Sequence, residues 1–256
     1  MTDLATARHA IERLRREPRR RRLTVESVAA LTPKMRRIVF TAPELADFAS
    51  LGADDHIKVF APDPSAPQGA AMRDYTPRAF DPVRCALTID FALHEAGPAS
   101  DWARGAMPGD SLEIGGPRGS MVVADDFDAY LLVGDETALP AIGRRVEGLR
   151  AGVPVTTIVL VDGPEEIQTF ETRADWRPVW LFRSGSDRDD AALLSEALAR
   201  WPTPPGDGYV WIAAEARAAR ALKTAMLEDR GHPKAWLKAA GYWVRGKAGE
   251  SEKLDS

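Results

Sequence analysis

Residues 130–141 read Tyr130-Leu131-Leu132-Val133-Gly134-Asp135-Glu136-Thr137-Ala138-Leu139-Pro140-Ala141, an unbroken apolar run that closes on a glycine and two acids. A short apolar run bounded by a turn predicts a buried strand, and the change of period beyond Gly134 predicts a helix over 138–149. The pattern then repeats, with strands expected over 156–161, 179–182 and 209–213 and helices over 191–198 and 217–227. Such alternation specifies a parallel sheet with crossover helices, whose ligands bind outside the carboxyl ends of the strands. Gly134, Asp135 and Thr137 stand at one such end, where Thr137 is expected to cap the helix and present a hydroxyl to a nicotinamide carboxamide. The stretch is not G-x-G-x-x-G, which argues against a standard Rossmann dehydrogenase.

Working outward, the chain from 23 to about 124 changes character. Short apolar or alternating runs over 23–28, 35–41, 56–61 and 86–92 are broken by Pro, Gly and Asp, which predicts an antiparallel barrel or sandwich. Residues 61–71, rich in Pro and Ala, read as a surface loop. The expected fold is therefore a β barrel followed by an α/β unit. Its parts are a basic helical segment over 1–22, a barrel over 23–125, a nucleotide-binding unit over 126–246 and a tail over 247–256.

Length and composition support a folded chain with a sizeable core: 256 residues, 45% hydrophobic and 28% charged. The net charge of -4 argues against a general nucleic-acid binder, which needs a positive field. The arginine-rich stretch over 13–22 reads as a solvated face near the terminus. No apolar run of the length that spans a bilayer is present, so neither a secretory signal nor membrane insertion is expected and a cytoplasmic location is. Cys85 is the single cysteine and the four histidines are scattered, which excludes an intrachain disulfide and a four-cysteine iron–sulfur cluster and leaves no expected metal site. Redox chemistry would need a bound organic cofactor.

Three further segments carry candidate chemistry. In Arg73-Asp74-Tyr75-Thr76-Pro77-Arg78, the tyrosine ring can lie on a flat heteroaromatic ring, Thr76 can hydrogen-bond one of its nitrogens, and the arginines can pair with a diphosphate. In His94-Glu95-Ala96-Gly97-Pro98-Ala99-Ser100-Asp101-Trp102, small residues precede a short helix whose free amides favour phosphate, although Ser100 also reads as a plain N-cap and Trp102 as core. Glu215 ends a later strand, and the run Gly241-Tyr242-Trp243-Val244-Arg245-Gly246-Lys247 closes the ordered chain, where its aromatic pair either covers a cofactor or docks the terminus.

In this order and spacing, with Leu31-Thr32-Pro33-Lys34-Met35, Asp55-His56-Ile57-Lys58 and Gly116-Pro117-Arg118-Gly119-Ser120 beside them, these segments resemble the siderophore-interacting protein family of FAD-dependent ferric-siderophore reductases. The likeness runs from about Arg22 to Gly246. It implies a flavin-binding barrel fused to a ferredoxin-reductase-like nucleotide domain, with FAD as prosthetic group and NADH or NADPH as co-substrate. Carried over by motif, Arg73, Tyr75 and Thr76 are the implied isoalloxazine and phosphate contacts, with Tyr75 and Thr76 nearest the chemistry. His94, Gly97, Ala99, Ser100 and Trp102 complete the FAD side. Gly134, Asp135, Thr137, Glu215 and Trp243 form the nucleotide side. Ala213-Ala214-Glu215 stands where ferredoxin reductases carry a cysteine, which makes ferredoxin a poorer acceptor.

Nicotinamide gives two electrons as hydride whereas ferric iron takes one, and flavin meets both demands. The expected course is hydride transfer to flavin followed by single-electron transfer to ferric siderophores, anionic catecholates foremost, by a monomer. Lys58, Arg118, Arg245 and Lys247 are the expected cationic contacts for such a chelate. Two other readings stay open: a reductase of free flavin or quinone, and a non-catalytic ferric-chelate binding module. Arg183, Ser184 and Ser186 are placed to receive a 2'-phosphate, while Asp162 is placed to repel one.

Overall fold

The computed structural model describes residues 8–254 other than Pro67 and Glu95. The first half runs β1 (Ile11–Arg15), β2 (Arg20–Thr32), β3 (Met35–Thr41), β4 (Ile57–Pro62), β5 (Ala70–Tyr75), β6 (Pro77–Asp81), β7 (Ala86–Ala92), helix α1 (Pro98–Gly105), β8 (Ser111–Gly115) and β9 (Gly119–Val123). Seven of these strands pair antiparallel in the order β5-β4-β8-β2-β3-β7-β6. Strands β5 and β6 lie at opposite ends of that order, yet Thr76 alone separates them in the chain. One residue advances the backbone by about 3.8 Å, so the sheet must curl until its edges meet at Thr76. The interior is filled from alternate positions, among them Leu23 and Val25, Ile38 and Phe40, Ile57 and Val59, and Leu87, Ile89 and Phe91.

Two expectations fail here. The basic stretch is not helical among its described residues: Ile11–Arg15 is a strand paired with β9, and Pro18 stands between it and β2. Arg21 points inward and is buried, donating to Asp47 and to the carbonyls of Arg19, Glu44 and Gly116, so β2 sets the alternation and overrides any helical preference. Residues 1–7 of that expected helix lie outside the described residues. The loop expected over 61–71 is narrower, because β4 and β5 extend into it from both sides.

The second half contains β10 (Ala129–Asp135), α2 (Leu139–Gly148), β11 (Pro154–Val161), β12 (Asp175–Phe182), α3 (Asp190–Arg200), β13 (Gly208–Glu215), α4 (Ala216–Thr224), β14 (Leu237–Trp243) and β15 (Glu252–Lys253). Their sheet order is β12-β11-β10-β13-β14-β15, parallel throughout except for β15. The carboxyl ends of five parallel strands therefore share one edge. Apolar clusters cover both faces of this sheet, which is why its strands read as continuous apolar runs. Gly134 is required at the first crossing: a β-carbon there would stand 2.5 Å from Ala138 Cβ and 2.6 Å from the Ala213 carbonyl oxygen.

Order does not stop at Lys247. The chain turns back to pair β15 with β14, and Leu254 is buried against the second sheet. Between the two sheets, Arg78 donates to Glu147 at 2.7 and 2.5 Å, and Glu166 accepts from the Thr32 hydroxyl at 2.5 Å and the Lys34 amide at 3.0 Å. Arg144 donates to the carbonyl and hydroxyl of Ser50, both at 3.0 Å. Among the described residues no helix is long and apolar enough to cross a membrane.

Candidate functional site

The barrel closure carries the first set of residues. Tyr75 and Arg73 stand opposite Ile57 and Val59 in register, so both side chains project to the inner side of the sheet, whereas Lys58 and Asp74 project to the outer side. The Tyr75 ring packs 4.6 Å from Phe91, which lies 5.9 Å from Trp102; Trp102 stacks on Phe40 at 6.1 Å. Burial pushes the Tyr75 hydroxyl well above its ordinary value, so it stays protonated at neutral pH. The Arg73 guanidinium donates to the Met72 carbonyl at 2.9 Å and lies against Gly249, where a β-carbon would come within 2.7 Å of Nη1.

Helix α1 packs beside β5 and brings the second segment to the same end of the barrel. Its N-cap is Gly97, at φ 147°, not Ser100. Among the described residues nothing lies within 4 Å of where a Gly97 β-carbon would sit, so a ligand can approach this backbone directly. Ser100 lies within the first turn, accepting from the His94 amide at 3.2 Å and donating to the Ala92 carbonyl at 3.3 Å. It thus ties the strand end to the helix start, where Asp101 accepts from the Gly97 amide at 3.3 Å and the Ala99 and Ser100 amides have no intrahelical acceptor.

Asp135 organises the other side. Its Oδ1 accepts from the Thr137 amide at 2.9 Å and the Thr137 hydroxyl at 2.5 Å, and its Oδ2 accepts from the Glu215 amide at 2.9 Å and the Trp243 indole at 2.8 Å. One buried carboxylate thereby joins the ends of β10, β13 and β14. Thr137 is not the helix cap, because α2 begins at Leu139 and the Thr137 hydroxyl is turned to Asp135. Glu215 is a cap: its side chain accepts from the Arg217 and Ala218 amides at 2.7 and 3.3 Å, and from the Arg245 amide at 3.2 Å.

A charged network continues along this edge. Arg183 donates to Glu136 at 2.8 Å, Asp162 at 3.0 Å and Asp190 at 3.2 Å, and Arg245 also reaches Asp190 at 3.1 Å. Arg183 would have to release a carboxylate before taking a 2'-phosphate. Burial, with Asp135 next to it, pushes the Glu136 carboxyl up to about 7 despite Arg183. The His94 imidazole is held below its ordinary value, by burial first, and feels the charges of Asp135, Arg183 and Asp162.

The two sides meet. The Thr76 side chain stands beside the buried Tyr242 hydroxyl, and Tyr242 precedes the Trp243 that binds Asp135. Arg73, Tyr75, Thr76, His94, Gly97, Ala99, Ser100 and Trp102 thus gather on one side of a seam and Gly134, Asp135, Thr137, Glu215 and Trp243 on the other. The four expected chelate contacts differ in their partners. Lys58 is paired with Asp74 at 2.7 Å on the outer face, Lys247 with Glu250 at 3.2 Å and Arg245 with Asp190, while Arg118 is exposed after β8. Residue-by-residue reading missed Tyr242 as the link to Thr76, and Glu136, whose raised carboxyl depends on burial that no local pattern encodes.

The arrangement offers an aromatic ring and a cation beside an approachable helix start, facing a strand-end carboxylate cluster across a narrow join. The siderophore-interacting protein family matches residues 127–246, and a siderophore-interacting FAD-binding domain matches 24–71 and 64–121. An NADPH-dependent ferric-chelate reductase of Escherichia coli is 34% identical, over 91% of this chain and 96% of that protein. A siderophore utilization protein from T. fusca superposes with a TM-score of 0.88 at 32% identity, covering 94% of this chain and 98% of that one. The siderophore-interacting protein SipS from Aeromonas hydrophila follows with a TM-score of 0.77 at 32% identity, covering 90% and 93%.

Proposed function

Because this chain belongs to the siderophore-interacting protein family, we propose that it is a FAD-dependent reductase that passes electrons from NADH or NADPH to a ferric siderophore. The observation that carries this reading is the join of the two candidate half-sites at consecutive residues of β14, Trp243 bonded to Asp135 and Tyr242 standing beside Thr76. FAD, when bound, supplies a centre that accepts hydride and releases electrons one at a time.

The residues present fit that group. The barrel over 23–125 is assigned to flavin and the unit over 126–246 to the nucleotide. Tyr75 offers a flat, protonated ring, Arg73 a cation for the diphosphate, and Gly97 to Ser100 an open helix start for phosphate. Thr137 donates its hydroxyl proton to Asp135, which leaves its oxygen lone pairs to accept from a carboxamide N–H. Trp243, held by Asp135, and Glu215, holding the start of α4, shape the opposite wall.

The acceptor is assigned as an anionic, catecholate-type ferric chelate met by a monomer. Arg118, Arg245 and Lys247 are the cations proposed to draw it in; surface pairs such as Lys247 with Glu250 are worth about 0–1 kcal/mol and yield readily to a more highly charged ligand. Lys58 is set aside from this role by its outward direction.

Visible absorbance of the purified protein after reconstitution with FAD tests the premise. A bound yellow chromophore supports the reductase. A chain that takes up no flavin yet still binds ferric chelate would be a binding module.

A further inference from the structure

Asp54 belongs to neither half-site, yet it is buried where the barrel meets the second sheet. Its own segment is held firmly: the neighbouring Asp55 accepts from the Ser50 hydroxyl at 3.0 Å, the Gly52 amide at 3.1 Å and the Ser120 hydroxyl at 2.6 Å. Asp54 Oδ2 accepts from the Trp211 indole at 2.9 Å and pairs with Lys238 at 2.5 Å. Those two donors are direct register partners on β13 and β14. One barrel carboxylate oxygen therefore clamps two adjacent strands of the nucleotide sheet.

The clamp leads to the seam. Trp211 packs edge-on against Tyr242 at 6.0 Å, and the buried Tyr242 hydroxyl stands beside Thr76, back on the barrel. The contacts close a ring: Asp54, Trp211, Tyr242, Thr76. This is not an economical way to gain stability, because Asp54 Oδ1 is buried without a hydrogen-bond partner. A buried ion pair of that kind is often no better than apolar residues of the same size, and its attested value is in specifying one arrangement over its neighbours. What Asp54 fixes is the direction from which β13 and β14 approach the barrel.

We propose that Asp54 is a positioning residue that sets the nucleotide sheet on the flavin barrel for hydride transfer, acting through Trp211 and Tyr242. This rests on the reductase reading. Hydride transfer needs the nicotinamide held in register on the flavin, a stricter demand than the approach of a ferric chelate, which exposed cations steer from a distance.

The test compares wild type with Asp54→Asn and with the milder Trp211→Phe, which deletes one donor and keeps an aromatic ring. Anaerobic stopped-flow would time flavin reduction by NADH or NADPH and, separately, reoxidation by a ferric catecholate. Pulsed electron paramagnetic resonance on the oxidised protein as purified would measure the distance between spin labels on Cys85, the native barrel cysteine, and on α3 through Ala199→Cys. The expected result is reduction slowed by about tenfold or more, since an ångström of misplacement costs up to about a hundredfold, with reoxidation and flavin content unchanged and a broadened distance distribution. Unchanged reduction, or an unbroadened distribution, in both variants would overturn the proposal, as would equal slowing of both half-reactions. If wild type itself is never reduced, the reductase reading fails, and the distance distributions alone decide whether Asp54 sets the two bodies.

Discussion

The indole N–H of Trp243 donates to Asp135 Oδ2 at 2.8 Å, which ties the last parallel strand to the first strand of the same sheet across β13. Asp135 is almost fully buried, so each donor it keeps offsets part of the cost of holding a charge away from water. Trp243→Phe keeps the ring and removes the donor. The expected loss is about 1–3 kcal/mol, read as a melting temperature lower by several degrees in thermal unfolding. An unchanged melting temperature would mean that the indole bond contributes nothing.

Tyr75 makes no side-chain hydrogen bond among the described contacts and packs through its ring on Phe91. Its assigned work is therefore done by the ring and not by the hydroxyl. Tyr75→Phe should retain FAD with an affinity within about threefold, while Tyr75→Ala should weaken it by tenfold or more, given about 0.5–1.5 kcal/mol for ring contact beyond area burial. Fluorescence of released flavin on dilution measures both. Equal losses in the two variants would place the contribution in the hydroxyl.

Glu136 has its carboxyl raised from 4.5 to about 7, so between those values the folded protein holds a proton that the unfolded chain has released. Stability then falls as pH rises through that window and stays lower above it. Glu136→Gln should raise stability relative to wild type at pH 8, where the wild-type carboxylate is charged beside Asp135, and should be close to neutral near pH 4. Chemical denaturation at the two pH values reads the difference. A variant less stable at pH 8 than at pH 4, relative to wild type, would show that the Arg183 bond outweighs the burial cost.

Lys58 and Arg118 lie near one another, Lys58 opposite Gly115 in register and Arg118 just past the end of β8, but among the described residues only Lys58 is ion-paired. Lys58→Ala should leave KM for an anionic ferric chelate within about twofold, because Lys58 projects from the face of the sheet opposite Tyr75 and Arg73. Arg118→Ala should raise KM for an anionic chelate about threefold or more and leave a neutral chelate unaffected, as expected for steering by an exposed charge. Steady-state kinetics with both chelates decides it.

The legible part of the fold was the part governed by local period. The run Tyr130–Val133 and the strands that follow are buried on both faces, so continuous apolarity marks them, and the barrel strands alternate because one face meets the core. The placement of the site segments followed from local pattern: Arg73 and Tyr75 alternate onto the inner side of a strand, and Asp135 ends a strand where it gathers its neighbours. What was lost depends on distant partners. Ile11–Arg15 became a strand because β9 offers an edge, with Gly119 letting the Leu14 carbonyl approach where a β-carbon would clash at 2.1 Å. The tail folds back because Leu254 finds an apolar cluster and Gly249 passes over Arg73. Thr137 and Ser100 both look like caps by type, and both are diverted to nearer acceptors, Asp135 and the Ala92 carbonyl.

The most direct test of the central claim is anaerobic stopped-flow absorbance of the FAD-loaded protein, first mixed with NADH or NADPH and then with a ferric catecholate. The account predicts rapid bleaching of the flavin by at least one nucleotide, followed by full return of its absorbance as the chelate is reduced. Bleaching without return would contradict the ferric-siderophore assignment and point to another acceptor, and no bleaching by either nucleotide would contradict the reductase itself.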